Sequence, residues 1–140
     1  RGHITLNSAD PYEYPKILFN YLQDEEDLKQ TRECIHVARN ILSQAALTEH
    51  AGKEVGPGID AQSDDEINEY IRSKADTAYH PSGTCKMGVD DNAVVDENLK
   101  VKGIQNLRVV DASVIPEIPS ANLNAPTLMI AEKAADCILN

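Results

Sequence analysis

The chain has 140 residues, room for one or at most two small compact units, and 41% of them are hydrophobic, although five Tyr, one Phe and no Trp leave few aromatics to fill a core. Its 23 acidic against 13 basic residues give a net charge of −10, a surface that repels phosphate backbones and anionic lipid and so argues against nucleic-acid and membrane partners. No apolar run approaches bilayer length, and the three cysteines and four histidines stand at spacings that fit no zinc site.

Residues 1–6 alternate well enough for a short strand, which ends in the turn Asn7-Ser8-Ala9-Asp10-Pro11. Residues 12–22, with their Pro and Tyr, read as irregular. From Asp24 the pattern becomes helical. Acidic residues cluster in a first turn, and Leu28, Ile35, Ala38, Leu42 and Ala45 recur at helical spacing, flanked by Val37 and Ile41. This predicts a helix over residues 25–46, with His36 toward the edge of its apolar stripe as an ordinary surface histidine. Residues 48–63 are polar and rich in Gly and Pro, a loop. Ser63 and Glu66 then form an S-x-x-E capping box, and Ile67, Tyr70 and Ile71 give the second helix a modest apolar face. The acidic run Ser63-Asp64-Asp65-Glu66 is a dipole-compensating helix start rather than a metal site.

After Gly88, residues 93–96, 99–101 and 107–110 read as short strands between turns at Glu97-Asn98 and Gly103. The last is apolar enough to be buried on both faces, as in a parallel sheet, and it runs into Asp111-Ala112-Ser113. Asp111 thus stands where open α/β sheets place their ligands, or it is a turn aspartate bonded to its own backbone. A final helix is expected from Ala125 or Pro126 to about Ile138, with Asn124 as N-cap and Leu128, Met129, Ala131, Ala135 and Ile138 as its packing face.

Chemistry concentrates in Tyr79-His80-Pro81-Ser82-Gly83-Thr84-Cys85-Lys86-Met87-Gly88 and in Asn122-Leu123-Asn124-Ala125-Pro126-Thr127. A residue before proline is pushed into extended backbone, and Gly83 permits a tight turn behind it, so His80 sits on a stiff loop. An imidazole titrates near neutrality, and one held rigidly can take a proton from a substrate. Cys85 and Met87 read as packing residues behind that loop. Asn124 at a helix N-terminus adds an amide and the positive end of a helix dipole, or it serves as a cap and nothing more.

The segments HPSGTCKMG, VVDENLKVKGIQNLRVVDASVIP and SANLNAPTLMIAEKAADCI together resemble the C-terminal part of the glucose-methanol-choline (GMC) family of FAD oxidoreductases, in wording nearest the insect branch typified by FAD-dependent glucose dehydrogenase. The likeness runs from Arg1-Gly2-His3-Ile4-Thr5-Leu6 to the last helix. No G-x-G-x-x-G occurs, and Gly56-Pro57-Gly58 has Pro where a phosphate turn needs an N–H. With Arg1 opening the chain, the reading is a C-terminal piece of a larger, two-lobe enzyme, whose missing N-terminal part is its partner.

The resemblance implies a mixed α/β fold. Residues 1–88 would belong to an antiparallel-sheet substrate lobe carrying the histidine loop, and residues 89–140 would return into a Rossmann-like FAD lobe. It implies that Asp111 and Ala112 approach the FAD ribityl-phosphate region and that Asn124, Ala125, Pro126 and Thr127 bring the helix end to the flavin pyrimidine ring. His80 would take the hydroxyl proton of an alcohol or sugar as hydride passes to flavin N5, while Asn124 bonds the same oxygen. Many family members have histidine where Asn124 stands, which leaves His80 as the single candidate base. Quinone or oxygen would accept the electrons, an extracellular setting would follow the insect likeness, and the piece alone would hold FAD weakly and be inactive. The alternative is a relative that keeps the fold as a binding or structural protein; retention of both His80 and Asn124 speaks against it.

Overall fold

The computed structural model describes all residues 1–140 and divides into two compact units, Arg1–Asp76 and Thr77–Asn140. Its content is mixed α/β, as the sequence implies: three α-helices, two short 3₁₀ turns and one two-stranded sheet.

The first unit opens with an antiparallel ribbon of β1 (His3–Thr5) and β2 (Lys16–Leu18), paired His3 to Leu18, Ile4 to Ile17 and Thr5 to Lys16. The second strand lies where irregular chain was expected. Pro15 precedes it, a position a two-stranded ribbon tolerates, and pairing with β1 satisfies its backbone. Gly2 permits the close approach of the two chains, since a Cβ there would lie 2.2 Å from the Leu18 carbonyl oxygen.

Helix α1 (Glu25–Leu42) starts on the Asp24 side chain, which accepts from the Glu26 N–H at 2.9 Å, and carries Glu25, Glu26 and Asp27 in its first turn. It ends earlier than expected. Ser43 Oγ and the Gln44 amide both donate to the Asn40 carbonyl at 2.9 Å, competing with the helical ladder, and the chain tightens into the 3₁₀ turn Ala45–Leu47. Helix α2 (Asp64–Lys74) has the expected capping box, with the Glu66 N–H donating to Ser63 Oγ and the Ser63 N–H to Glu66 Oε2 at 2.9 Å. Leu28 buries against Ile67 and Ile71, with Ile35 half-buried beside them. The rest of the expected α1 stripe, Val37, Ala38, Ile41 and Leu42, is exposed, because the covering helix is only 11 residues long and packs on the Leu28 end.

The loop between these helices is held by a side chain of α1. Arg39 binds Glu54 through Nε at 3.0 Å and Nη2 at 2.9 Å, and Nη2 also donates to the carbonyls of Gly58 and Ala61. A guanidinium fork bonded to a carboxylate and two carbonyls fixes residues 54–61, which have no regular structure of their own.

In the second unit Val95, Leu99, Val114, Ile115, Leu123, Ile130 and Ala134 form one core. The three strands expected between residues 93 and 110 do not form ladders. Single bridges join Met87 to Val95, Val95 to Val101 and Lys100 to Arg108. Left-handed backbone at Leu99 (φ 62°), Gly103 (φ 79°) and Asn106 (φ 61°) turns the chain before any pairing can extend. Val109 and Val110 are accordingly half-buried against the core rather than covered on both faces.

Helix α3 (Asn124–Leu139) covers this core with Leu123, Ile130 and Ala134, while the expected packing residues Leu128, Met129, Ala131, Ala135 and Ile138 are exposed. The 3.6-residue repeat allows more than one stripe on so apolar a helix, and the seven-residue step from Leu123 to Ile130 is the one used. Nor is Asn124 the N-cap: Leu123 takes that position with no side-chain cap, and Asn124 is the first helical residue.

Candidate active site

His80 is exposed on a loop anchored on both sides. Before it, Tyr79 stands in the left-handed region at φ 58°, a costly conformation for an aromatic residue, and its N–H donates to Thr77 Oγ1 at 3.0 Å. After it, Gly83 turns at φ 82° beside the Ile115 carbonyl, and the chain then runs along residues 113–114. The Cys85 N–H donates to the Ser113 carbonyl at 3.0 Å and the Met87 N–H to the Val114 carbonyl at 2.9 Å. Since Val114 is fully buried, these bonds tie the histidine loop to the core. Met87 packs on that core, the supporting role expected of it, and Cys85 is half-buried.

Tyr79, His80, Pro81, Ala112, Leu123, Asn124 and Thr127 line one open hollow of about 330 Å³, which brings the two sequence motifs together. The Leu123 N–H donates to His80 Nδ1 at 3.4 Å, and His80 Nε2 makes no hydrogen bond within the chain. The Asn124 side chain is exposed and likewise unengaged, as are the N–H groups of Asn124 and Ala125 at the start of α3. Pro126 has no N–H to offer. The hollow therefore presents one imidazole, one carboxamide and the Asn124 backbone donor, with the Ala125 N–H next to it in the chain at the positive end of a helix dipole. A neutral imidazole with a lone pair can take a proton, and the other three groups suit oxygen atoms that carry or gain negative charge.

Ala112 lines this hollow, but the Asp111 carboxylate accepts from the Ser113 N–H at 2.7 Å and starts the 3₁₀ turn Ala112–Val114. Of the two readings open for Asp111, its side chain here follows the turn-forming one. Pro126 and Thr127 are half-buried and Ala125 is exposed in the first turn of α3. Leu123 and Tyr79 stand within the two sequence motifs but were given no role there. Leu123 was hidden as an apolar residue next to a polar one, although its seven-residue distance to Ile130 marks a buried helix start.

No group of three or more His, Cys, Asp or Glu side chains could hold a metal ion, and all three cysteines are free. No helix is long and apolar enough to cross a membrane. A larger hollow of about 590 Å³ lies in the first unit near Tyr21, Asp27, Cys34 and Arg72, where Arg1 Nε already pairs with Asp27 at 2.7 Å.

The family model described as GMC oxidoreductase matches residues 1–131. An oxygen-dependent choline dehydrogenase of Klebsiella pneumoniae subsp. pneumoniae is 52% identical over 138 residues, covering 99% of this chain and 25% of that protein. Another, from Pseudomonas savastanoi pv. phaseolicola, is 54% identical over 99% of this chain and 24% of its own length. Among solved structures, pyridoxine 4-oxidase from Mesorbium loti superposes with a TM-score of 0.87 at 34% identity, covering 96% of this chain and 26% of that one. The chain spans about a quarter of the length of the curated relatives it matches. The insect glucose dehydrogenase wording finds no support in these relatives, which are bacterial choline dehydrogenases. The motif resemblance holds at the level of the family, and this chain belongs to the GMC oxidoreductases.

Proposed function

We propose that this chain is the C-terminal part of a FAD-dependent oxidoreductase that oxidises the CH–OH group of a small alcohol. The observation that carries the reading is the convergence of His80, Asn124 and the α3 N-terminus on one hollow in a GMC oxidoreductase. The donor set fits the flavin: N–H groups with no partner in the chain at a helix N-terminus suit a ring edge that becomes anionic on reduction, and the small Ala112 side chain leaves room for close approach. Bound FAD supplies the hydride acceptor.

The protein's share is the proton and the orientation. His80 takes the hydroxyl proton, and the Asn124 carboxamide bonds the same oxygen and holds the alcohol with its C–H toward the acceptor. Acceptance at Nε2 requires the neutral ring to carry its proton on Nδ1, which gives up the 3.4 Å contact from Leu123. So long a contact is worth about 0.5 kcal/mol, at the weak end of the hydrogen-bond range. General base catalysis contributes about 10²–10⁴-fold in rate, several times that free energy, so the contact does not prevent the step.

The choline dehydrogenase relatives favour a choline-type alcohol over a sugar and oxygen over quinone as acceptor. In the lobe organisation we propose, residues 1–88 contribute to the substrate side and residues 89–140 close the FAD side, with the rest of the FAD site supplied by the remainder of the protein. The test is anaerobic mixing of the full-length enzyme with choline, simple alcohols and sugars while the flavin absorbance is followed. Bleaching by choline that slows by about 10²-fold or more in His80→Ala supports the assignment. Equal bleaching in both proteins, or no bound flavin, overturns it.

A further inference from the structure

We propose that Thr127 is a positioning residue, whose hydroxyl sets both His80 and Asn124 through the backbone of Leu123; this rests on the catalytic reading above. The Leu123 carbonyl receives two donors from Thr127, its N–H at 2.9 Å and its Oγ1 at 2.6 Å. The second is shorter than the usual hydroxyl bond of about 2.7–2.8 Å. That carbonyl belongs to the planar peptide whose other end is the Asn124 N–H, so fixing its direction fixes the direction of the outward donor. On its other side, Leu123 directs its own N–H at His80 Nδ1. Its side chain, 5% exposed, is locked in the core with Val114, Ile115 and Ile130.

One residue thus links the imidazole and the Asn124 backbone donor to a common buried reference. Leu123 has no side-chain cap, so the Thr127 hydroxyl is the group that supplements the helical bond at this peptide. Threonine in a helix often bonds the carbonyl four residues back. Here that carbonyl carries the site, and the threonine itself lines the hollow with His80 and Asn124. The contact to Nδ1 holds only while that nitrogen carries no proton, so it aims the ring in the resting tautomer and, being weak, is given up at little cost when Nε2 becomes the accepting nitrogen.

The test compares Thr127→Val, which keeps the shape and loses the hydroxyl, with Thr127→Ser, which keeps the hydroxyl, in the full-length flavin-loaded enzyme. Two quantities are read: turnover of choline, and the pH-dependent rate at which diethyl pyrocarbonate modifies His80, followed by mass spectrometry. The proposal expects Thr127→Val to lower kcat by about tenfold, with KM nearly unchanged. It also expects the His80 modification profile to shift by about threefold in rate, with Thr127→Ser restoring both. Wild-type kcat and profile in Thr127→Val would overturn it, as would loss of flavin and folding in Thr127→Val that serine does not rescue. The modification readout needs no turnover, so a failure of the catalytic reading, seen as an active His80→Ala, is separable from a failure of this one.

Discussion

The first unit, Arg1–Asp76, contains two of the three helices and the only sheet, yet among its residues only Leu28, Ile67 and Ile71 are buried. Much of its order comes from polar side-chain contacts: Arg39 on the Glu54 carboxylate and the Gly58 and Ala61 carbonyls, Arg32 on the Asn68 and Asp64 side chains. The second unit, Thr77–Asn140, has one helix and isolated bridges in place of strands, and it holds the larger core together with the candidate site. Regular secondary structure is therefore a poor guide to where this molecule is built accurately. Accuracy follows buried side chains joined by backbone hydrogen bonds, as where residues 85–87 lie on Ser113 and Val114.

The sharpest way to break that comparison is to strike each unit at its characteristic point. His80→Ala, at an exposed position, is expected to cost about 10²–10⁴ in kcat and to leave the melting temperature nearly unchanged. Ile67→Ala, at a fully buried one, is expected to destabilise by about 2–5 kcal/mol while kcat per bound flavin stays at the wild-type value. Leu123→Ala should do both, because that side chain is core and its backbone carries the site. If thermal unfolding and steady-state kinetics show Leu123→Ala moving stability alone, the claim that the core positions the site falls. A smaller effect is expected from Gly2→Ala. The new Cβ would meet the Leu18 carbonyl, a backbone atom that cannot swing away, so exchange of the ribbon amides should quicken while turnover is unaffected.

How much of this was legible follows from which forces were local. The two helices of the first unit, the capping box and the stiffness of the His80 loop could be read, because caps, helical periodicity and pre-proline restriction act within a few residues, whereas the meeting of the His80 and Asn124 motifs, far apart in the chain, was implied only by the family resemblance. The strands over residues 93–110 could not. β propensity marks Val94, Val95, Val109 and Val110 correctly as apolar, but left-handed turns at Leu99 and Asn106, neither of them glycine, are fixed only by tertiary packing. The α3 face was misread for a related reason: on a helix apolar on several sides, the partner decides which side is buried. Asn124 was expected to cap because asparagine caps well, yet the buried Leu123 fixes where the helix begins and moves the polar residue into the open hollow. That misplacement matters for the proposed function, since a capping carboxamide would be consumed by the backbone whereas this one makes no hydrogen bond within the chain.

The gentlest test concerns the α2 start, where the first unit depends on polar contacts. Ser63→Ala removes the hydroxyl that accepts from the Glu66 N–H and should cost about 1 kcal/mol. Glu66 adds a pH signature. Hydrogen bonds from the Ser63 N–H, Ser63 Oγ and the Gln62 N–H hold its carboxyl below the ordinary value of 4.5. A depressed folded value means the unfolded chain takes up the proton first, so the stabilisation is complete above about 4.5 and is lost as pH falls through the lowered folded value. Glu66→Gln keeps an acceptor oxygen but never carries the charge that opposes the helix dipole. The ratio of amide exchange in the α2 segment, variant over wild type, should therefore be greatest near neutrality and approach one in acid. A ratio that stays flat across that range would mean the capping box works by geometry alone, and that the charge at Glu66 contributes nothing to holding the helix.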